Sequence, residues 1–226
     1  MRPYVTVNLA MSADGKISTR ERRQVRISGA RDFGRVDTLK AQQDAIVVGI
    51  GTVLADNPSL TVKSPALREE RRKEGKDEDP VRVVVDSQAR TPWGADILRR
   101  GTGERVIAVA ESAPRERVEQ LRELATVLVT GTEQVDLDQL LRELHRKGIR
   151  RLMVEGGGTL IWGFFSRGLV DEFCTFVGPV VIGGKDAPTP ADGEGFLREQ
   201  DFVRLEPPTV TECDGGVMLR WRVRQG

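Results

Sequence analysis

A chain of 226 residues with 38% hydrophobic and 31% charged side chains has enough apolar content for the core of one large α/β domain. Its 35 basic and 34 acidic residues nearly cancel, which argues against general affinity for nucleic acid or anionic membrane while permitting a local basic site. One histidine and two distant cysteines, Cys174 and Cys213, fit buried thiols better than a metal cluster or a disulfide, and no apolar run approaches the ~20 residues of a membrane span. The N-terminus alternates instead of forming a signal-peptide block, so a cytoplasmic protein is expected.

Apolar alternation over residues 4–9 predicts a strand, followed by the turn ADGK and an Arg-rich run. Phe33, Val36, Leu39 and Ala41 recur at near-helical spacing and predict a helix over 31–42. Residues 45–48 read as a buried strand that runs into GIGTVLADNP, a turn and a short helical or looped segment. The stretch 63–80 is polar and mixed in charge, the pattern of a solvated excursion that adds little to the core. Strands follow at 81–85 and 105–110. Val118, Leu121 and Leu124 mark one face of a helix between 114 and 125, with Pro114 near its start.

A strand at 126–129 precedes a helix over 136–147, which carries Leu137, Leu140, Leu141 and Leu144 and stops at Gly148. Residues 152–154 form a short buried strand, the glycines 156–158 a turn, and 159–167 a helix. Apolar runs at 172–177 and 180–182 lead into a loop rich in Gly, Pro and Asp. Strand-like runs near 202–206 and 217–223 flank ECDGG, the signal for a terminal hairpin.

This alternation predicts one domain over 1–226: an α/β fold whose mainly parallel sheet is covered on both faces and ends in antiparallel strands. Ligands of such sheets collect where loops leave the C-terminal ends of strands. The loops GIGTVLADNP, DSQART, TGTEQVD and EGGGT leave there. The three glycines have two possible uses. They can supply positive φ and close packing of helix on strand, or bare amides at 156–159 can face a phosphate at the positive end of the helix.

The motifs NLAMSADGKIS, VGIGTVLADNPSLTV, VRVVVDSQARTP, EGGGTLIWGFF, LVDEF and GPVVIGGKDAPT occur in order over most of the chain. In them the chain resembles the riboflavin-biosynthesis reductases. The resemblance implies a three-layer fold like that of dihydrofolate reductase. It also implies reduction of 2,5-diamino-6-ribosylamino-4(3H)-pyrimidinone 5′-phosphate with NADPH (NADH being possible), and a homodimer. Cofactor contacts carry over to Ala10, Thr52, Asp56 and Ser87, and to the main chain of Gly157, Gly158, Thr159, Leu160, Ile161, Trp162 and Gly163. Substrate contacts carry over to Lys40, Leu60, Lys63 and Glu155. The two lysines suit the ribose phosphate as point charges, and Glu155 can accept hydrogen bonds from pyrimidine amino groups.

Some bacterial relatives have tryptophan and serine at the positions matching Arg26 and Gln24, where this chain departs from the pattern. The His-x-Glu and Pro-Cys-x-x-Cys elements of a zinc deaminase are absent from the sequence, so a stand-alone reductase is expected, and the resemblance implies that it acts before deamination. No catalytic acid is singled out; Asp32, Glu155, Lys40 and water are the candidates. Plainer roles stand beside these: Thr52 as a helix cap, Ser87 as a brace of its own loop, and Trp162, Phe164 and Phe165 as packing groups. The competing functions are a reductase of another pterin or pyrimidine and a non-catalytic nucleotide-binding module.

Overall fold

The computed structural model describes residues 1–23 and 25–224. Gln24, one of the two positions that depart from the relatives' pattern, lies outside the described residues. In chain order the elements are β1 (Tyr4–Ser12), α1 (Ala30–Ala41), β2 (Ala45–Gly49), α2 (Ile50–Asp56), α3 (Pro65–Lys73) and β3 (Val81–Val85). Next come α4 (Asp96–Arg99), β4 (Arg105–Val109), α5 (Arg115–Arg122), β5 (Thr126–Val129), α6 (Leu137–Arg146) and β6 (Arg151–Glu155). The chain continues through α7 (Gly158–Ser166), β7 (Glu172–Gly178), a 3-10 turn (Glu199–Asp201), β8 (Thr209–Cys213) and β9 (Gly216–Arg222).

The strand order is β5-β4-β3-β2-β6-β1-β7-β9-β8. Strands β2 to β5 pair in parallel, as do β1 and β7, while β9 runs antiparallel to β7 and β8. The α/β fold with antiparallel C-terminal strands is therefore present as expected. Two compact units divide the chain: Met1–Pro3 with Val36–Met153, and Tyr4–Arg35 with Val154–Gly226.

In the first unit, the Val- and Ile-rich strands are buried on both faces, as crossover helices require of a parallel sheet. Ile46, Val84, Ile107 and Leu121 belong to its core. Helix α6 buries the four leucines its spacing predicts, and the Asp136 carboxylate caps it by accepting from Gln139 N at 2.9 Å. In the second unit Cys174, Phe176 and Met218 form a smaller core, with Ala10 packed on it. Burial pushes the Cys174 thiol up to about 12, which rules it out as a nucleophile at neutral pH.

The structure corrects two expectations. The excursion at 63–80 contains α3, capped by Ser64 and carrying proline in its first turn. Its Arg71 is buried, with Nε donating to Asp77 O (2.8 Å) and Nη1 to Ala41 O (2.7 Å) and Gln43 O (2.8 Å). The segment is thus anchored by hydrogen bonds to carbonyls, for which apolar periodicity gives no signal. The terminal hairpin pairs 209–213 with β9, because the two-residue turn at Asp214 (φ 52) and Gly215 (φ 74) dictates that register, and the run 202–206 forms no strand, meeting the end of β9 through the isolated bridge Leu205–Val223 and the bond from Glu206 N to Arg222 O. In the apolar run 180–182, for which no element is predicted, Val181 is 77% exposed.

A second buried arginine, Arg82 on β3, donates to the carbonyls of Arg100, Thr102 and Gly103. Burial draws its pKa down to about 10, so it stays charged at neutral pH. No helix among the described residues is long and apolar enough to cross a membrane.

Candidate active site

The glycine turn lies between β6 and α7, as its sequence predicts. Gly156 and Gly157 have φ of 87° and 86°, which disfavours any side chain there. Gly157 is the N-cap of α7 and supplies no side-chain cap, while its carbonyl accepts from Ile161 N at 2.9 Å. The amides of Gly158, Thr159 and Leu160 are therefore the ones without an intrahelical acceptor, at the positive end of the helix. Trp162 and Gly163 lie inside the helix, where main-chain amides belong to its ladder. Leu160 and Ile161 bury their side chains, so only main-chain contact with a ligand suits them.

Gly158 has a separate reason to be glycine. A Cβ there would lie 2.5 Å from Thr189 O and 2.9 Å from the Asp192 carboxylate. Asp192 Oδ1 accepts from Thr189 N (3.0 Å) and Oγ1 (2.6 Å), and Asp192 N donates to Gly158 O (3.1 Å). Gly193 lies against the Trp162 indole, which also meets Phe196 edge-on at 4.8 Å. The plainer reading of the glycines thus has its residues: positive φ at 156 and 157, close packing at 158.

The strap that packs on α7 is tied down upstream. Asp14, at the tip of the ADGK turn, accepts from Ser12 Oγ (2.6 Å), Ile182 N (3.0 Å) and Gly183 N (2.7 Å). The Ser12 hydroxyl and then the Ile182 amide hold the Asp14 carboxyl down at about 2. Ala13 N donates to Val180 O, Ile17 N to Pro188 O, and Lys16 Nζ to Ala187 O. Reading ADGK as a turn alone missed this anchoring role, because its partners lie more than 160 residues downstream.

Glu155 is half-buried at the end of β6, and Ala10 half-buried on β1 opposite Phe176. Asp32, one of the candidate acids, is buried and accepts from Arg35 Nε at 2.8 Å; Arg35 Nη2 also donates to Asn8 Oδ1 at 3.0 Å. The carboxylate is committed to that guanidinium.

In the first unit, Thr52 and Asp56 lie half-buried on α2. Gly49 occupies the N-cap, so capping is not the role of Thr52. Asn57, in a left-handed conformation, ends the helix by donating its amide to Val53 O. Ser87 does brace its surroundings, since its hydroxyl accepts from Val135 N at 3.1 Å; the hydroxyl proton is left to donate elsewhere.

Lys40 lies in the last turn of α1, and Lys63 in the loop between α2 and α3. Lys63 has its pKa lowered by desolvation, then by the charges of Lys40 and Arg68. Leu60, buried, holds φ at 51°, a left-handed conformation that costs a non-glycine residue about 1–2 kcal/mol. Strain of that kind concentrates in ligand-gripping loops. Sequence reasoning missed Ser59 and Thr61, whose hydroxyls accept from Lys63 Nζ beside this turn, and Arg68, whose Nε donates to Val62 O.

The RibD C-terminal domain matches residues 3–219. A protein of Archaeoglobus fulgidus named 2,5-diamino-6-ribosylamino-4(3H)-pyrimidinone 5′-phosphate reductase is 54% identical over 206 residues, 91% of this chain and 94% of that protein. One of the same name from Methanothermobacter thermautotrophicus is 50% identical over 206 residues, 91% of each. Among solved structures, a pyrimidine reductase-like protein of Corynebacterium diphtheriae aligns at a TM-score of 0.84 over 99% of this chain and 93% of that one, with 18% identity, a likeness of fold. RibD of Acinetobacter baumannii aligns at 0.80 with 25% identity, over 99% of this chain and 59% of that one.

Proposed function

The chain belongs to the RibD C-terminal domain family, and on that premise we propose that it reduces the ribosyl group of 2,5-diamino-6-ribosylamino-4(3H)-pyrimidinone 5′-phosphate to ribityl with NADPH. It is an oxidoreductase of riboflavin biosynthesis, acting as one reductase domain over 1–226, as a homodimer in the cytoplasm. The substrate's ribosylamine opens to an imine, and C1′ is the carbon reduced.

The observation that carries this reading is the uncapped first turn of α7 behind two left-handed glycines. Three amide donors at the positive end of a helix fit the charge and acceptor chemistry of a dinucleotide phosphate. When bound, the nicotinamide supplies the hydride. The chain's own residues bind and orient: the amides of 158–160 hold phosphate, and Thr52, Asp56 and Ser87 supply polar contacts to the rest of the dinucleotide. Alanine at position 10 keeps side-chain bulk away from the nicotinamide. On the substrate, Lys40 and Lys63 hold the ribose phosphate beside Leu60, and Glu155 accepts from the pyrimidine amino groups. Orientation of the hydride donor against C1′ is the main contribution to rate.

The test is loss of reduced-nicotinamide absorbance with the diamino ribosylamino substrate. Turnover with NADPH and recovery of the ribitylamino product are expected. Binding of NADPH without turnover would instead support a nucleotide-binding module, and sedimentation checks the homodimer.

A further inference from the structure

The loop between α2 and α3 builds a small array of donors. Lys63 Nζ donates to Ser59 Oγ at 2.9 Å and to Thr61 Oγ1 at 2.6 Å, using two of the three ammonium protons. The two hydroxyls lie 3.1 Å apart, so one can donate to the other. The second hydroxyl proton then has no acceptor within the trio. One O–H and one ammonium N–H are left for a ligand that accepts hydrogen bonds.

Arg68 stands beside this trio. Its Nε donates to Val62 O at 2.6 Å, which fixes the guanidinium and uses one of its five N–H donors. Its main-chain amide donates to Ser64 O on the first turn of α3. Desolvation, and then the charges of Lys40 and Arg68, lower the Lys63 pKa, while Asp79 and Asp37 act against them. The two carboxylates near Lys63 hold the main chain of the loop: Asp37 accepts from the amides of Lys63 (2.7 Å) and Ser64 (2.8 Å), and Asp79 from those of Val62 (2.8 Å) and Thr102 (2.9 Å). Among the described residues neither Lys63 nor Arg68 forms an ion pair with a carboxylate. A doubly charged anion is attracted to Lys63 and Arg68 together, with Asp37 and Asp79 offsetting part of that charge.

We propose that Arg68 joins Lys63 and the hydroxyls of Ser59 and Thr61 in gripping a phosphomonoester, and that Arg68 sets the preference for a phosphorylated over a dephosphorylated substrate. This deepens the substrate reading above and rests on it for the identity of the natural ligand. The planar fork of Arg68 adds two parallel N–H donors, a geometry that the ammonium groups of Lys40 and Lys63 lack.

Calorimetric titration with ribose 5-phosphate, and with ribose as the uncharged control, tests it on the wild type, Arg68→Ala and Arg68→Lys. Wild type should bind the phosphate and not the sugar. Arg68→Ala should weaken ribose 5-phosphate by about tenfold to a hundredfold, the loss typical of a charge-assisted pair. Arg68→Lys should fall between, and all three should bind NADPH alike, which separates loss of a ligand contact from a misfolded chain. Ribose 5-phosphate binding that survives Arg68→Ala, or equal weakening of NADPH, overturns the proposal. Turnover plays no part in this titration, so a chain that binds phosphate through Arg68 but fails to oxidise NADPH counts against the function and leaves the site standing.

Discussion

Replacing Gly158 by alanine asks whether the third glycine of the turn is held by packing. Its φ is outside the left-handed region, so backbone strain plays no part. The new methyl would meet Thr189 O at 2.5 Å and the Asp192 carboxylate at 2.9 Å, the first being main chain that cannot rotate away. Relieving such overlap costs about 1–3 kcal/mol. Moving the strap also lengthens the 3.1 Å bond from Asp192 N to Gly158 O, worth about 1 kcal/mol. Alanine returns about 0.5–1 kcal/mol through the unfolded chain and helix propensity. The net loss is about 2 kcal/mol, which for a chain of this size lowers the melting temperature by roughly 4–8 °C. Gly34, on α1 with no atom within 4 Å of its ideal Cβ, is the control: the same substitution should raise stability by about 0.5–1 kcal/mol. Thermal melts followed by circular dichroism would compare the two variants. Shifts of the same sign in both helices would refute the packing argument.

Further expectations can be checked on single variants. Lys40→Ala should raise the dissociation constant for substrate about tenfold while leaving that for NADPH nearly unchanged; equal losses would remove Lys40 from the substrate site. Asp14 has its carboxyl held well below the ordinary 3.8, at about 2, so its contribution to stability is present above pH 4 and disappears between pH 4 and 2. Acid unfolding of Asp14→Asn should be flatter than wild type across that window, and parallel curves would contradict it. Arg71→Ala strands three carbonyls that now accept from the guanidinium and should cost about 2–4 kcal/mol, read as a lower urea midpoint.

What the sequence made legible was whatever burial dictates. The valine-rich strands and the four leucines of α6 announce themselves because an apolar face must be covered. Helix α3 was hidden for the opposite reason: PALREERRK has no apolar stripe, and Arg71 is buried for its donors instead of its hydrophobicity. Strand β8 is exposed along most of its length and exists because a tight turn pairs it with β9, so alternation could not locate it. At the site, the glycine turn was legible from the residues, and the family resemblance pointed to Lys40 and Lys63. Ser59, Thr61 and Arg68 became visible only with the left-handed turn at Leu60, and the strap only with the clash it would make at Gly158.

The two buried arginines have a consequence for ionic strength. Arg71 and Arg82 are fastened to main-chain carbonyls, so dissolved ions have little access to either clamp. Exposed pairs such as Arg122 with Glu119, or Arg198 with Asp201, fade as the Debye length shrinks to about 3 Å in molar salt. Concentrated brine should therefore loosen the outer ion pairs first, while the loops around residues 77 and 100–103 keep their shape.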